Sequence, residues 1–362
     1  MPLSPVHPAP AKSSLQQEMP PMSRRVGLSA RRIFGVVSAV AMLAVVSGCG
    51  LLGGSEEKPT DTAATPGKVE KATITVGLLN ILDVASVHVA QQKGYFKDEG
   101  LDLKIEIIQG GAMAIPGLIN GSLDFTFGNW VSFFGAEAKE AAKSVDGLKL
   151  VSDGYQAKPE MFLILGKSDS PIKSPKDLEG KTIAINTFKN IAELTAKATL
   201  EANDVDPAKV TFKELPFPDM EAAVQNGSVD AAFMVEPFIS KAQRQSGQIT
   251  LLDAASGPTA DIPIAGYATT GKFLKENPNT VAAFQRAMAK GQRDAADRPT
   301  VEPLLVEYAK IDKETASLVH FGEFPTTLDA TRLQRVAGLM RTYGLLEKDF
   351  DVKPMLVAAS GS

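Results

Sequence analysis

From Lys71 onward the chain alternates short apolar runs with longer stretches of helical period. Residues 72–79 are short and rich in β-branched side chains (Thr73, Ile74, Thr75, Val76), which predicts a strand. Residues 84–96 have helical spacing, with Gly94 near the end. Residues 101–107 alternate apolar and charged positions with period two, a half-buried strand. Gly110 and Gly111 turn into a helix over 112–119, followed by a strand at 124–127, a helix at 131–142 and a strand at 148–153. A second section begins after Lys158, with strands at 161–165, 182–185, 210–214 and 231–235. Helices at 191–202 and 220–225 lie between them, with Asn190 and Asp219 placed to cap them. A strand at 264–269 follows, and then helical patterns at 280–296, 301–310, 313–319 and 329–343. Alternation of this kind predicts parallel sheets with covered faces, an α/β protein.

The N-terminal segment is built differently. Arg24, Arg25, Arg31 and Arg32 precede an apolar run over 33–46, and Val46-Ser47-Gly48 leads into the only cysteine, Cys49. A basic flank, a short apolar run and a small-residue stop make an export signal. The run is too short to span a bilayer, which takes roughly 20 residues. The Val-Ser-Gly-Cys ending resembles the lipobox of bacterial lipoproteins. That resemblance implies a signal peptide over 1–48 and a diacylglyceryl group on Cys49, with Cys49 as the first mature residue. It also implies a lipid anchor on the outer face of the cytoplasmic membrane. Ser23 to Leu28 partly resembles a twin-arginine signal, so both export routes stay open. Residues 50–71 are mostly Gly, Ser, Thr, Pro, Lys and Glu and cannot bury enough surface to fold, so 49–71 reads as a lipidated tether.

Residues 1–48 hold five of the 38 basic and one of the 42 acidic side chains. The remainder carries 33 basic and 41 acidic groups, a net charge of −8. That balance argues against a nucleic-acid or anionic-membrane partner. The length left after the tether suffices for two lobes with full cores. With no cysteine besides Cys49, no disulfide supports the fold.

One internal echo organises those lobes. Asn120-Gly-Ser-Leu-Asp124 recurs as Asn226-Gly-Ser-Val-Asp230, each copy after an apolar helix and before a short strand. Gly after Asn is a common helix stop, but the shared flanks favour a pseudo-repeat of two similar lobes.

Enzyme signatures are nearly absent. Of three histidines, His7 leaves with the signal, and neither His88 nor His320 has metal-ligand spacing. Gly180-Lys181-Thr182 ends like a phosphate-binding loop, yet Pro175 stands where the first glycine belongs and a strand follows. No metal, cofactor or catalytic residue is expected. In open α/β sheets ligands bind outside the carboxyl ends of strands, which directs attention to the loops there. From them come the candidate ligand contacts: Asn80, Leu82, Asp83, Gly111, Ala112, Asn129, Trp130, Thr187, Lys189, Asn190, Glu236 and Phe238. Trp130, Tyr155, Phe188, Phe217 and Phe238 are candidate apolar walls, and the polar members supply directional contacts.

At these residues the chain resembles a known family. Gly94-Tyr-Phe-Lys-Asp-Glu-Gly-Leu-Asp102 is similar to the GYF…EGLD segment of the solute-binding proteins for nitrate, taurine and aliphatic sulfonates. Residues 174–186 resemble their entry into the second lobe, and Gly227-Ser-Val-Asp-Ala-Ala with Val235-Glu-Pro-Phe238 resembles their G-x-VDA…EPF segment. The superfamily includes binders of thiamine pyrimidine precursors and a few enzymes. The enzymes rely on cysteine, whereas here the single cysteine is assigned to lipid. The resemblance implies a type II periplasmic-binding-protein fold, with a ligand cleft between two α/β lobes joined by two crossover hinges near 153–162 and 261–268. Lobe 1 would take 72–156 and the helical C-terminal part of 261–362, and lobe 2 would take 157–260. A monomer that passes a small solute to an ABC permease is implied as well. The candidate loops hold Lys158 and Lys189 against Asp83, Asp153, Asp219, Glu236 and Asp261, with no arginine. The resemblance places a sulfonate, taurine or nitrate-like solute first. The charge balance keeps a zwitterion such as taurine or an aminopyrimidine open.

Overall fold

Lys71, the last residue of the expected tether, already belongs to the folded unit. The computed structural model describes residues 68–359; Cys49, the export segment and residues 49–67 of the tether lie outside the described residues. The Glu70 carboxylate accepts from the backbone N–H groups of Asn279 and Thr280 at 3.2 and 2.9 Å. Lys71 pairs with Asp124 at 2.7 Å. The tether expected to run to Lys71 is therefore pinned from Glu70 onward.

In chain order the elements are β1 (Thr73–Leu78), α1 (Ala85–Gln92), α2 (Tyr95–Asp98), β2 (Asp102–Ile107), α3 (Gly111–Asn120), β3 (Phe125–Asn129), α4 (Trp130–Ala138), β4 (Leu148–Gln156), β5 (Leu163–Gly166), β6 (Thr182–Ile185) and α5 (Ile191–Ala202). They continue as β7 (Thr211–Glu214), α6 (Phe217–Gln225), β8 (Ala231–Met234), α7 (Phe238–Ser246), β9 (Ile249–Asp253), β10 (Pro263–Thr270), α8 (Gly271–Glu276), α9 (Pro278–Ala295), α10 (Arg298–Tyr308), α11 (Lys313–Leu318) and α12 (Ala330–Thr342). Among the described residues no helix is long and apolar enough to cross a membrane.

The strands form two sheets of five, ordered β2-β1-β3-β10-β4 and β7-β6-β8-β5-β9. The expected parallel pairing holds for β1 with β2 and β3, and for β6 with β7 and β8. Both sheets are nonetheless mixed. β10 runs antiparallel to β3 and β4, and β5 antiparallel to β8 and β9. These two strands enter one sheet directly from the last strand of the other. No helical crossover within a sheet constrains them to run parallel. The chain passes between the sheets at 157–162 and 254–262, so β4 and β10 take residues that were expected in the crossovers.

Local chemistry explains the remaining differences. Gly94, at a φ of 79°, ends the predicted first helix by letting the chain turn left-handed before α2. Asn190 caps α5 as expected, accepting from the Glu193 N–H at 3.2 Å. Asp219 does not cap α6; the helix begins at Phe217 behind Pro216, and Asp219 sits inside its first turn. The short strand β9 and the largely polar helix α7 escape the sequence pattern. On α7 only Ile239, Ser240 and Ala242 are buried.

The internal echo is a structural repeat. In the first copy the Asp124 N–H donates to the Thr75 carbonyl at 2.9 Å, and the Asp124 carboxylate accepts from the Thr75 N–H at 2.9 Å. In the second, Asp230 makes the same pair of bonds to Thr182 at 3.0 and 2.8 Å. Gly121 and Gly227 lie at φ of 78° and 74°, the left-handed helix stop that glycine favours. Each copy ties the end of a helix to the strand at the middle of its lobe's parallel half.

Where the chain passes between the lobes, it is braced. The Ala157 N–H donates to the Ile262 carbonyl at 3.0 Å, linking the two crossovers. Lys158 bridges Asp261 at 2.9 Å and Glu323 at 2.8 Å. Gln156 and Glu323 exchange backbone hydrogen bonds at 3.0 Å.

Candidate functional site

The carboxyl ends of β1 and β3 and the start of α3 meet the carboxyl ends of β6 and β8 and the starts of α5 and α6 around one cavity of about 40 Å³. Phe127, Phe162, Phe217 and Phe233 give it aromatic walls, and Leu79, Ile81, Ile191, Val235 and Ile264 complete the apolar surface. Among the described residues, Asp83, Asn129 and Asn186 are the polar side chains of the lining, and Asp83 is the only charged one. Gly110 and Gly111 bring the start of α3 to the cavity, and the first N–H groups of a helix have no intrahelical acceptor.

The two lobes also touch one another. The Leu82 N–H donates to the Glu236 carbonyl at 3.0 Å. A methyl group added at Gly110 would lie 3.0 Å from the Thr187 methyl. Arg244 of α7 donates to the Thr315 hydroxyl at 3.1 Å and pairs with Asp312. Arg335 of α12 donates to the carbonyls of Pro258 and Ala260 at 3.0 and 2.8 Å. A cavity this size holds only water-sized molecules, whereas organic ligand pockets run to about 300 Å³ or more.

Asp83 is 3 % exposed, and burial pushes its carboxyl up to about 7, opposed by a hydrogen bond from its own backbone N–H. Among the described residues no other group bonds to that carboxyl. Tyr155, Tyr267 and Tyr308 lie near enough to feel its charge, each with its phenol pushed further up by burial.

The sequence-predicted contacts divide. Asp83, Gly111 and Asn129 line the cavity. Asn129 also caps α4, accepting from Ser132 N–H at 2.9 Å. Gly111 has a packing role too, since an added methyl would sit 2.7 Å from the Gly128 Cα. Asn190 and Thr187 stand one layer back, with the Asn190 amide donating to Asn186 at 2.6 Å and to the Thr187 hydroxyl at 2.9 Å. Asn80, Leu82 and Ala112 flank the cavity without lining it. Lys189 is exposed and faces a separate groove beside Glu193 and Lys197.

Three expected contacts are engaged elsewhere. Trp130 is fully buried in lobe 1, stacked with Phe134 and pressed against Gly266, where an added methyl would meet its ring at 2.1 Å. Its place at the start of α4 turns the indole into the core. Glu236 is fully buried, and its carboxylate accepts from the Ser240 N–H and hydroxyl at 3.1 and 2.8 Å and from the His320 N–H at 3.0 Å. The His320 ring Nδ1 also lies 3.3 Å from a Glu236 carboxylate oxygen, and that side-chain hydrogen bond holds the imidazole above the usual histidine range, against the opposing pull of partial burial. Phe238 stacks on Phe217 with centroids 5.8 Å apart and supports the wall from behind. Of the expected aromatic walls, Phe217 alone lines the cavity. Phe127, Phe162 and Phe233 were missed because they read as strand or core positions. Only the topology shows that these strands end at the cleft.

The chain is 29% identical over 266 residues to a protein of Bacillus subtilis named as an aliphatic sulfonates-binding protein, covering 71% of this chain and 72% of the other. It is 27% identical over 272 residues to the riboflavin-binding protein RibY of Chloroflexus aurantiacus, covering 68% and 70%. The alkanesulfonate-binding protein SsuA from Xanthomonas axonopodis pv. citri, solved bound to MOPS, superposes with a TM-score of 0.68 at 18% identity. That match covers 80% of this chain and 99% of SsuA and fixes the fold as a periplasmic-binding-protein fold. Residues 82–301 match the NMT1/THI5-like family, to which this chain belongs.

Proposed function

We propose that this protein is the extracytoplasmic solute-binding lipoprotein of an ABC importer. It captures a small organic solute between its two lobes and delivers it to a permease in the cytoplasmic membrane. The observation that supports this most is the cavity itself. Its walls come from both lobes at the carboxyl ends of their strands, and the chain joins those lobes by two crossovers. A two-lobed body hinged at its crossovers closes on ligand by rigid-body motion. Cys49 carries the lipid anchor, and the protein works as a monomer. Binding without catalysis is the reading adopted. The only cysteine lies at position 49, His88 stacks on Tyr308 at 3.8 Å, and the His320 ring faces Glu236 and Glu160.

A thermal-shift screen tests the proposal. Taurine, alkanesulfonates, nitrate, a thiamine pyrimidine precursor, riboflavin and aromatic carboxylates form the panel. A ligand that binds only the folded state raises the melting temperature. A shift with one chemical class supports solute capture, and a panel of this breadth without any shift counts against it.

A further inference from the structure

We infer that Asp83 selects the solute, and that the cleft takes a molecule presenting a cationic or N–H-donating nitrogen on a small apolar body. The inference rests on the proposed solute-binding reading and specifies its ligand. Among the described residues Asp83 is the one charged side chain lining the cavity, and no lysine or arginine joins it there. It is 3 % exposed and, among the described residues, bonded only to its own backbone N–H. A buried carboxylate is normally paired or hydrogen-bonded by its surroundings, because leaving it unpaired is costly. Here the missing partner has to come from outside. The aromatic walls beside it, Phe127, Phe162 and Phe217 among them, fit a flat or compact apolar body. A cationic nitrogen between carboxylate and rings gains from both.

The same placement rejects bare anions. A sulfonate or nitrate lacking a nitrogen donor would enter a low-dielectric space beside a like charge, or would force Asp83 to stay protonated. A zwitterion such as taurine keeps the required nitrogen. Its acidic end would lie toward Gly110 and Gly111 at the start of α3.

The test compares matched pairs on the purified protein by calorimetry: benzylammonium against benzyl alcohol, benzamidinium against benzenesulfonate, and taurine against isethionate. The nitrogen-bearing member of at least one pair is expected to bind tenfold or more tighter than its counterpart. Asp83→Asn, which keeps the shape and removes the charge, is expected to lose that preference. A second readout needs no variant at Asp83. Benzamidinium stays protonated, so its affinity for the native protein is expected to rise tenfold or more from pH 5 to pH 8 as Asp83 ionises. The groups around Asp83 are Tyr155 on β4, Tyr267 on β10, Tyr308 on α10 and Glu236 before α7. The phenols do not titrate in that window. His88, stacked on Tyr308, is pushed down to about 4 by burial. His320 is held upward beside Glu236, so the profile is repeated with His320→Gln. Equal or tighter binding of the alcohol and sulfonate members, or a flat pH profile for bound benzamidinium, overturns the inference and leaves solute capture standing. Absence of binding both here and across the wider screen overturns the two together.

Discussion

The backbone N–H of Leu82 donates to the carbonyl oxygen of Glu236 at 3.0 Å, a direct bond between the lobes beside the cavity. Both residues stood among the expected solute contacts, and their backbones meet here. The contact belongs to a set that includes Arg244 with Asp312 and Thr315. These are polar contacts between the two lobes.

Arg244→Ala removes the cross-lobe pair without touching the cavity. The pair is partly exposed, so it contributes modestly. A larger radius of gyration in small-angle scattering is expected for the solute-free protein. Solute affinity should fall roughly two- to fivefold, because closure is part of binding. Unchanged scattering and affinity would show that the pair plays no part in closure.

Trp130 is a core residue and should behave as one. Trp130→Ala is expected to cost about 3–5 kcal/mol in urea denaturation, the usual range for deleting a buried aromatic ring. Trp130→Phe should cost much less, since the indole N–H has no hydrogen-bond partner among the described residues to lose. Folded Trp130→Ala protein with lowered solute affinity alone would return the residue to the site.

The repeated aspartates make a paired prediction. Asp230→Ala frees the half-buried Thr182 N–H and should destabilise the protein by about 1–3 kcal/mol. Asp124→Ala should cost at least as much, because it also strips Lys71 of its partner. Denaturation of both variants checks the shared role. A neutral result at Asp230 would reduce the echo to a shared turn.

Two groups give the solute-free protein the same direction of pH dependence. Asp83 rises from 3.8 to about 7 on folding, so the unfolded chain sheds its proton first. Stability therefore falls as pH climbs from about 4 to about 7, by up to roughly 4 kcal/mol. His320 is held up by Glu236, so its contribution is complete below the ordinary histidine range and is lost as pH rises through the raised value. Asp83→Asn should be more stable than the native protein at pH 8 and closer to it at pH 5. His320→Gln should flatten only the upper part of the profile. Urea midpoints at pH 4, 5, 6, 7 and 8 separate the two.

The parallel halves of both sheets were legible in the sequence because β1, β2, β6 and β7 carry compact β-branched or alternating patterns. The antiparallel entry of β5 and β10 was not, since strand direction depends on which sheet supplies the preceding strand. At the site, Asp83, Gly111, Asn129 and Phe217 were readable from loop position and residue type. Phe127, Phe162 and Phe233 were hidden because a buried strand residue looks the same whether it faces a core or a cleft. Trp130 and Glu236 misled for a related reason. Their side chains answer to the helices they begin or precede, and those helices turn them toward lobe 1 and toward His320.

The most direct test is a distance across the cleft. Met113 at the start of α3 and Phe188 before α5 are both exposed, at 58 % and 42 %. They sit on opposite lobes, beside the Gly110–Thr187 approach. With Cys49→Ser the chain has no other cysteine, so Met113→Cys and Phe188→Cys take a pair of spin labels cleanly. Pulsed electron resonance should show a broad or long separation without solute. On adding the nitrogen-bearing compound that binds, it should collapse to one short separation, as two lobes closing around Asp83 require. An unchanged distance distribution in the presence of a bound solute would contradict capture between the lobes.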